Sequence, residues 1–148
     1  TNFYVKHADE KLPMPSPGDS IAMGAYLVNA ADCQGCHSPV DSKKFDFKMD
    51  AWLSGGNVYR KPKLGFNVAS ANITPDSATG IGTWTEEMFL NKFRSYRDPK
   101  NYNFNPGKYN TIMPWTVLAN MRDEDIRYIY TYLRSIKRVK NSVNKWPD

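Results

Sequence analysis

Both cysteines of the chain and one of its two histidines lie within five residues, as Cys33, Cys36 and His37 in the stretch CQGCH. This C-x-x-C-H spacing is typical of sites at which a haem is attached covalently. Two cysteines three residues apart project from the same side of a helical turn, so their sulfurs could form thioethers with two vinyl groups of one haem. His37 would then bind the iron as an axial ligand.

The same three residues also admit other interpretations. Random placement of the cysteines and histidines would produce this arrangement roughly once in five thousand chains, so coincidence is the weakest of them. A zinc site normally takes four ligands, and His7 is the only further histidine or cysteine. A thioredoxin-like dithiol belongs to a βαβ pattern, which the sequence does not show. A redox dithiol and a metal site stay open, and His7 is interpreted as a surface residue.

A second protein ligand would make a haem protein an electron carrier, whereas an open iron position would suit a sensor or catalyst acting on small ligands. The chain contains six methionines. Met113 is the best candidate, because Pro114 holds the preceding backbone extended on a loop. The alternative for Met113 is a methionine that fills a gap in the core, which is also how we interpret Met23 and Met88.

The motif must be positioned by helices. The first is predicted to begin near Asp19 or Ser20, both favourable N-cap residues, and to lead to Cys33. Gly24 lies inside this helix, where glycine lowers helix stability. We therefore expect another helix to pass close to Gly24.

The rest of the chain contains two further predicted helices. Residues 38–70 are expected to be irregular apart from a short strand pair around 57–68. A helix capped by Thr83 or Thr85 is predicted next, and its buried side chains are predicted to be Met88, Phe89 and Phe93. The last helix is predicted over about 123–137, where apolar residues recur at helical spacing.

Composition and charge restrict the function classes. The 148 residues suit one domain, which we place at 20–140, between a Pro-rich extended arm at 1–19 and a C-terminal tail at 141–148. The net charge of +5 would fall toward +3 with two haem propionates. It suits either a merely soluble protein or one whose lysines attract an acidic redox partner. Basic residues are scattered, so no nucleic-acid module is indicated. The sequence contains no run of 18 apolar residues, so it predicts no transmembrane helix.

The motifs together resemble class I cytochromes c. The sequence is especially similar to the haem domains in cytochrome subunits of membrane-bound bacterial alcohol and gluconate dehydrogenases. The resemblance covers about residues 20–138 and rests on four stretches, in the order CQGCH, NITPDSATGIGTWTEEMF, MPW and DEDIRYIYTYLRSI. This chain departs from those subunits in three features: one haem motif instead of three, Arg122 where a serine usually caps the last helix, and an Asn-rich loop at 97–108. Asp123 is expected to take over the cap.

The resemblance implies an all-α fold of class I cytochrome c type, wrapped around one covalently attached haem c. It implies His37 and Met113 as axial ligands. By the same resemblance, four more residues are candidates for the haem pocket or its propionates: Asn72, Thr74, Trp84 and Arg94. Core packing is the alternative for Trp84, and a solvated helix position is the alternative for Arg94.

The function implied is that of an electron carrier rather than an enzyme. Single electrons would pass from a dehydrogenase to an oxidase or another cytochrome, and the chain could be the electron-transfer subunit of a larger oxidoreductase. Haem attachment to C-x-x-C-H generally occurs outside the bacterial inner membrane. We therefore expect a periplasmic or exported protein, whose export signal or lipid anchor has been removed.

Overall fold

The computed structural model describes residues 14–44, 46–103 and 105–148. Most of the predicted arm at 1–19, including His7, lies outside the described residues. Within these ranges the chain forms five α-helices and two short antiparallel hairpins. The helices are α1 (Ser20–Ala30), α2 (Cys33–His37), α3 (Glu86–Arg94), α4 (Trp115–Leu118) and α5 (Asp123–Ser135).

Two hairpins fill the predicted irregular region. β1 (Val40–Asp41) pairs with β2 (Asp46–Phe47). β3 (Val58–Lys61) pairs with β4 (Phe66–Ala69), so the strand pair predicted around 57–68 is confirmed. Short 3₁₀ turns occupy much of the connecting chain, at Met49–Ala51, Pro62–Leu64, Ser95–Arg97, Pro99–Asn101 and Gly107–Tyr109.

The first and last helices cross at Gly24. Asp19 caps α1 by accepting a hydrogen bond from the Ala22 backbone, as its residue type predicts. A Cβ atom on Gly24 would overlap the Tyr128 carbonyl of α5 and lie 2.6 Å from the Cβ of Tyr132. Only glycine permits this approach, so the predicted contact of another helix at Gly24 is confirmed.

The α3 helix packs its apolar side onto α5. The Thr85 side chain caps α3 by accepting from the Met88 backbone at 3.1 Å. Phe89 and Phe93 are buried as predicted, but the side chain of Met88 is 53% exposed. Leu90 is fully buried instead, because it faces the core together with Phe89 and Phe93. The prediction of a buried Met88 is therefore wrong.

Asp123 does not cap α5, contrary to the expectation. The N-cap residue is Arg122, which makes no side-chain cap hydrogen bond. The Asp123 carboxylate instead forms ion pairs with Arg94, the last residue of α3, and with Arg97 in the 3₁₀ turn that follows. These pairs hold the pKa of Asp123 at about 2. The helix ends at Ser135, two residues before the predicted end, where Ile136 becomes extended.

The segment after α5 returns over the domain. The Val139 carbonyl accepts from the Asn72 side chain at 2.8 Å, and the Asn141 side chain donates to the Ser54 carbonyl at 3.0 Å. Further along, the Ala69 backbone donates to the Lys145 carbonyl at 2.8 Å. The predicted tail at 141–148 is therefore packed onto the domain by both backbone and side-chain bonds.

Candidate haem site

A cavity of about 330 Å³ opens between the hairpin β3–β4 and the helices. Its wall is mostly apolar and is contributed by α2, β4, the turn region that follows β4, α3, α5 and the loop before α4. Six of its residues carry the chemistry considered below: Cys33, Cys36, His37, Asn72, Trp84 and Met113. The chain thus brings the C-x-x-C-H motif and the candidate loop methionine to one apolar space.

The short α2 helix aims the motif into this cavity. It follows α1 after a two-residue turn in which Asp32 adopts the left-handed conformation, with φ of 52°. The chain changes direction at this turn, and a new helix begins at Cys33. As a result, Cys33, Cys36 and His37 all line the cavity. Gly35 has its Cα beside the Asp32 carboxylate, where a Cβ atom would lie within 2.7 Å of Asp32 Oδ1. The turn therefore favours the Gly found between the cysteines.

The His37 side chain is held by one part-buried hydrogen bond. Its Nδ1 lies 2.7 Å from the Ala71 carbonyl oxygen, which can only accept. Nδ1 must therefore carry the proton, and Nε2 keeps its lone pair. Burial lowers the pKa of His37, so the imidazole is kept neutral, as a metal ligand requires. A carbonyl behind the imidazole is the usual partner of a metal-binding histidine.

The two cysteines are free thiols that line the same cavity. Burial raises the pKa of Cys33 to about 11. A catalytic dithiol needs a cysteine with a lowered pKa, so this environment does not suit redox exchange. Within the described ranges, no group of three or more His, Cys, Asp or Glu side chains could hold a metal ion. The buried Cys33 thiol therefore gives no support to the dithiol alternative, and the described residues offer no ligand cluster for the metal alternative.

Met113 lies on the loop before α4 and is half-buried against the core. Its backbone N–H donates to the Thr111 hydroxyl at 3.0 Å, and its carbonyl accepts from the Trp115 backbone at 2.8 Å. The Trp115 ring stacks on Tyr96 at a centroid distance of 4.8 Å. Local bonds and one aromatic contact therefore fix the backbone that carries this thioether.

Asn72 and Thr74 form a buried polar network. The Asn72 oxygen accepts from the Thr74 backbone at 2.9 Å and from its hydroxyl at 2.8 Å. The Asn72 amide donates to Thr79 at 3.0 Å and to the Val139 carbonyl. Asn72 lies in the cavity wall and Thr74 lies just outside it. Both side chains are engaged with the protein, and they join the wall to the C-terminal segment.

The other two candidates from the resemblance take different positions. Trp84 lies in the cavity wall, and its carbonyl accepts from the Tyr130 hydroxyl at 2.7 Å. Arg94 lies outside the wall, because its guanidinium turns to Asp123 and Glu87 at the protein surface. The expected position of Arg94 at the pocket therefore differs from the position observed.

The polar residues of the wall that were not anticipated from the sequence include Tyr59, Lys92 and Lys145. Burial and a hydrogen bond with Cys36 raise the pKa of Tyr59 to about 12. Tyr59 reaches the site through the hairpin β3–β4, and Lys145 reaches it through the returning C-terminal segment. No local motif marks any of them, because long-range packing brings them to the cavity.

The sequence matches the cytochrome c family profile over residues 21–137, and the chain belongs to this family. It is 32% identical over 124 residues to the fructose dehydrogenase cytochrome subunit of Gluconobacter japonicus, covering 84% of this chain and 23% of that protein. It is 30% identical over 146 residues to the cytochrome c subunit of the quinone alcohol dehydrogenase of Gluconobacter oxydans (strain 621H), covering 98% and 26%.

A third relative is the gluconate 2-dehydrogenase cytochrome c subunit of Pantoea cypripedii, at 30% identity over 112 residues, covering 76% of this chain and 22% of that protein. The chain therefore spans about a quarter of the length of these relatives. Family membership establishes a class I cytochrome c fold, a covalently attached haem c and a role in electron transport. Among the described residues, no helix is long and apolar enough to cross a bilayer.

Proposed function

We propose that this chain is a monohaem electron carrier with Cys33 and Cys36 as the two thioether attachments. His37 and Met113 would be the axial ligands of the iron. When bound, the haem supplies one-electron chemistry between the ferrous and ferric states. The observation that carries the proposal is the His37–Ala71 hydrogen bond beside two free thiols, in an apolar cavity that Met113 also lines.

The Ala71 carbonyl prepares His37 for this role. By accepting from Nδ1, it fixes the tautomer and the orientation of the imidazole, and it directs Nε2 into the cavity. A hydrogen bond to the distant ring nitrogen also increases the basicity of the ligand nitrogen. Because Ala71 directly precedes buried Asn72, the ring is held by backbone next to the Asn72 hydrogen-bond network.

Met113 would complete the coordination from the loop. A thioether ligand carries no charge and, paired with histidine, favours the ferrous state and raises the reduction potential. The apolar wall acts in the same direction, since a low-polarity surrounding disfavours the extra positive charge of the ferric state. With both ligands retained in both redox states, little of the protein would have to move during electron transfer.

The partners proposed are other redox proteins. The relatives are named as cytochrome subunits of fructose, alcohol and gluconate dehydrogenases. By analogy, a dehydrogenase would donate electrons to this chain, and an oxidase or another cytochrome would accept them. The charge of +5, together with Lys92 and Lys145 in the cavity wall, would attract an acidic surface. An exported, periplasmic location follows from the chemistry of haem attachment.

Replacement of Met113 by alanine tests the proposed ligation. We expect the oxidised protein to lose the absorption band at about 695 nm that marks methionine ligation, and the reduction potential to fall. The reduced variant should also bind carbon monoxide rapidly, because one iron position has opened. Absorption spectroscopy and a redox titration of the haem-loaded protein measure these effects.

Met88→Ala is the matched control, because it removes a methionine whose side chain is exposed on α3. Its spectra and potential should equal those of the parent. Met113→Ala spectra and potential identical to the parent would refute His/Met ligation. Rapid carbon monoxide binding by the parent itself would favour the alternative, a sensor or catalyst with an open iron position.

A further inference from the structure

The C-terminal segment, described above as packed onto the domain, reaches two walls of the cavity with consecutive residues. The Lys145 carbonyl accepts from the Ala69 backbone at 2.8 Å. Ala69 ends β4, two residues before Ala71, whose carbonyl holds His37. The main chain of Lys145 is therefore tied to the strand that leads directly to the histidine support.

The next residue is tied to the loop that carries Met113. The Trp146 indole N–H donates to the Asn110 carbonyl at 3.3 Å. The same ring meets Tyr109 edge to face, with centroids 5.2 Å apart. The contact therefore combines a directional hydrogen bond with an aromatic pair, at two adjacent residues of the loop.

Only two residues separate this contact from Met113. The Thr111 hydroxyl accepts from the Met113 backbone, so Asn110, Thr111 and Met113 form one short bonded stretch. Loop residues lose considerable conformational entropy when they are held in one conformation. A contact that orders Asn110 from outside the loop therefore reduces the freedom of Met113 to leave the cavity.

We propose that Lys145 and Trp146 act as a clasp that joins the strand supporting His37 to the loop carrying Met113. Trp146 is a positioning residue, which acts on Met113 through Asn110 and Tyr109. The clasp keeps the thioether at the iron and thereby opposes its displacement by external ligands. This inference rests on the proposed ligation by Met113, and it assigns a role to a segment that follows the part of the chain matched by the family profile.

Competition with imidazole in the haem-loaded ferric protein tests the clasp. Trp146→Ala should bind imidazole about tenfold more tightly than the parent, which corresponds to about 1.4 kcal/mol. Trp146→Phe keeps a ring against Tyr109 and removes the indole N–H, so its affinity should fall between the two. Tyr26→Ala is the control, since it removes a comparably exposed aromatic ring from α1 and should leave the affinity unchanged.

Far-ultraviolet circular dichroism and haem content should be the same for all four proteins, which separates positioning from unfolding. If Trp146→Ala misfolds, the imidazole affinity of Trp146→Phe tests the proposal instead. Parent-like imidazole affinity in folded Trp146 variants, with Met113→Ala altered as expected, would overturn the clasp alone. A Met113→Ala variant that behaves like the parent would instead overturn the proposed ligation.

Discussion

The two sides of the cavity are supported in different ways. The histidine side is built from buried groups: His37 is bonded to Ala71, and the neighbouring Asn72 is 4% exposed and bonded to four other residues. The methionine side is a loop, in which half-buried Met113 relies on bonds to residues two positions away. The comparison indicates that one proposed ligand, His37, is held by the core, and that the other, Met113, is held by contacts within a loop.

The largest effect is expected on the histidine side, from Asn72→Ala. The change removes an amide that joins Thr74, Thr79 and Val139, and it leaves buried polar groups without partners. The free energy of unfolding should fall by about 3 kcal/mol. Denaturant titration of the haem-loaded protein measures this loss. A loss of unfolding free energy smaller than that caused by a methionine-loop variant would contradict the comparison.

A smaller effect is expected on the methionine side, from Thr111→Val. The substitution keeps the shape of the side chain and removes the hydroxyl that accepts from the Met113 backbone. Stability should fall by about 1 kcal/mol, and imidazole should displace the methionine more readily. The same denaturant and imidazole titrations apply. An equal or greater loss of stability than for Asn72→Ala would remove the distinction between the two sides.

Acid should act on the methionine side through surface ion pairs. Arg97 binds Asp123 and also donates to the carbonyls of Ala119 and Met121, beyond α4. The pKa of Asp123 is lowered to about 2, so its stabilising contribution is complete above the ordinary pKa of about 4 and is lost as the pH falls toward 2. Asp123→Asn should flatten the dependence of stability on pH in this window.

Thermal unfolding followed between pH 5 and 2 measures the contribution of Asp123. The effect is expected to be the smallest of the three, because the carboxylate is solvent-accessible and screened. Asp50→Asn is a suitable control, since Asp50 lies in a 3₁₀ turn away from these pairs. An unchanged pH profile for Asp123→Asn, or a change of equal size in the control, would show that these ion pairs do not support the loop.

Local signals in the sequence predicted the parts of the fold that depend on neighbouring residues. Asp19 and Thr85 cap helices through bonds to backbone groups three residues away, and C-x-x-C-H carries its spacing within five residues. Gly24 was informative because glycine lowers the stability of a helix, which indicates a compensating contact at that position. The proximity of a partner helix could therefore be expected, although the sequence did not identify Tyr128 and Tyr132 as the contact.

The errors share a different physical cause. Asp123 was expected to cap its own helix, but Arg94 at the end of α3 and Arg97 in the following turn offer charge-assisted bonds that a cap does not supply. Arg94 was a candidate for the pocket with a solvated helix position as its alternative, and its guanidinium is paired with the same carboxylate. Met88 fits an apolar pattern, yet it faces solvent on the side of α3 opposite to buried Leu90, two residues further on. Lys145 reaches the cavity only because its segment folds back, which no periodicity indicates.

The crossing at Gly24 also sets an order for the maturation of the protein. α1 has its packing partner in α5, at the other end of the domain, so neither helix is stabilised before both have been synthesised and have met. The C-x-x-C-H motif follows α1 directly and stays in an open chain during that interval. If Cys33 and Cys36 are the attachment residues, as proposed above, we expect haem to react with them before α5 docks onto α1.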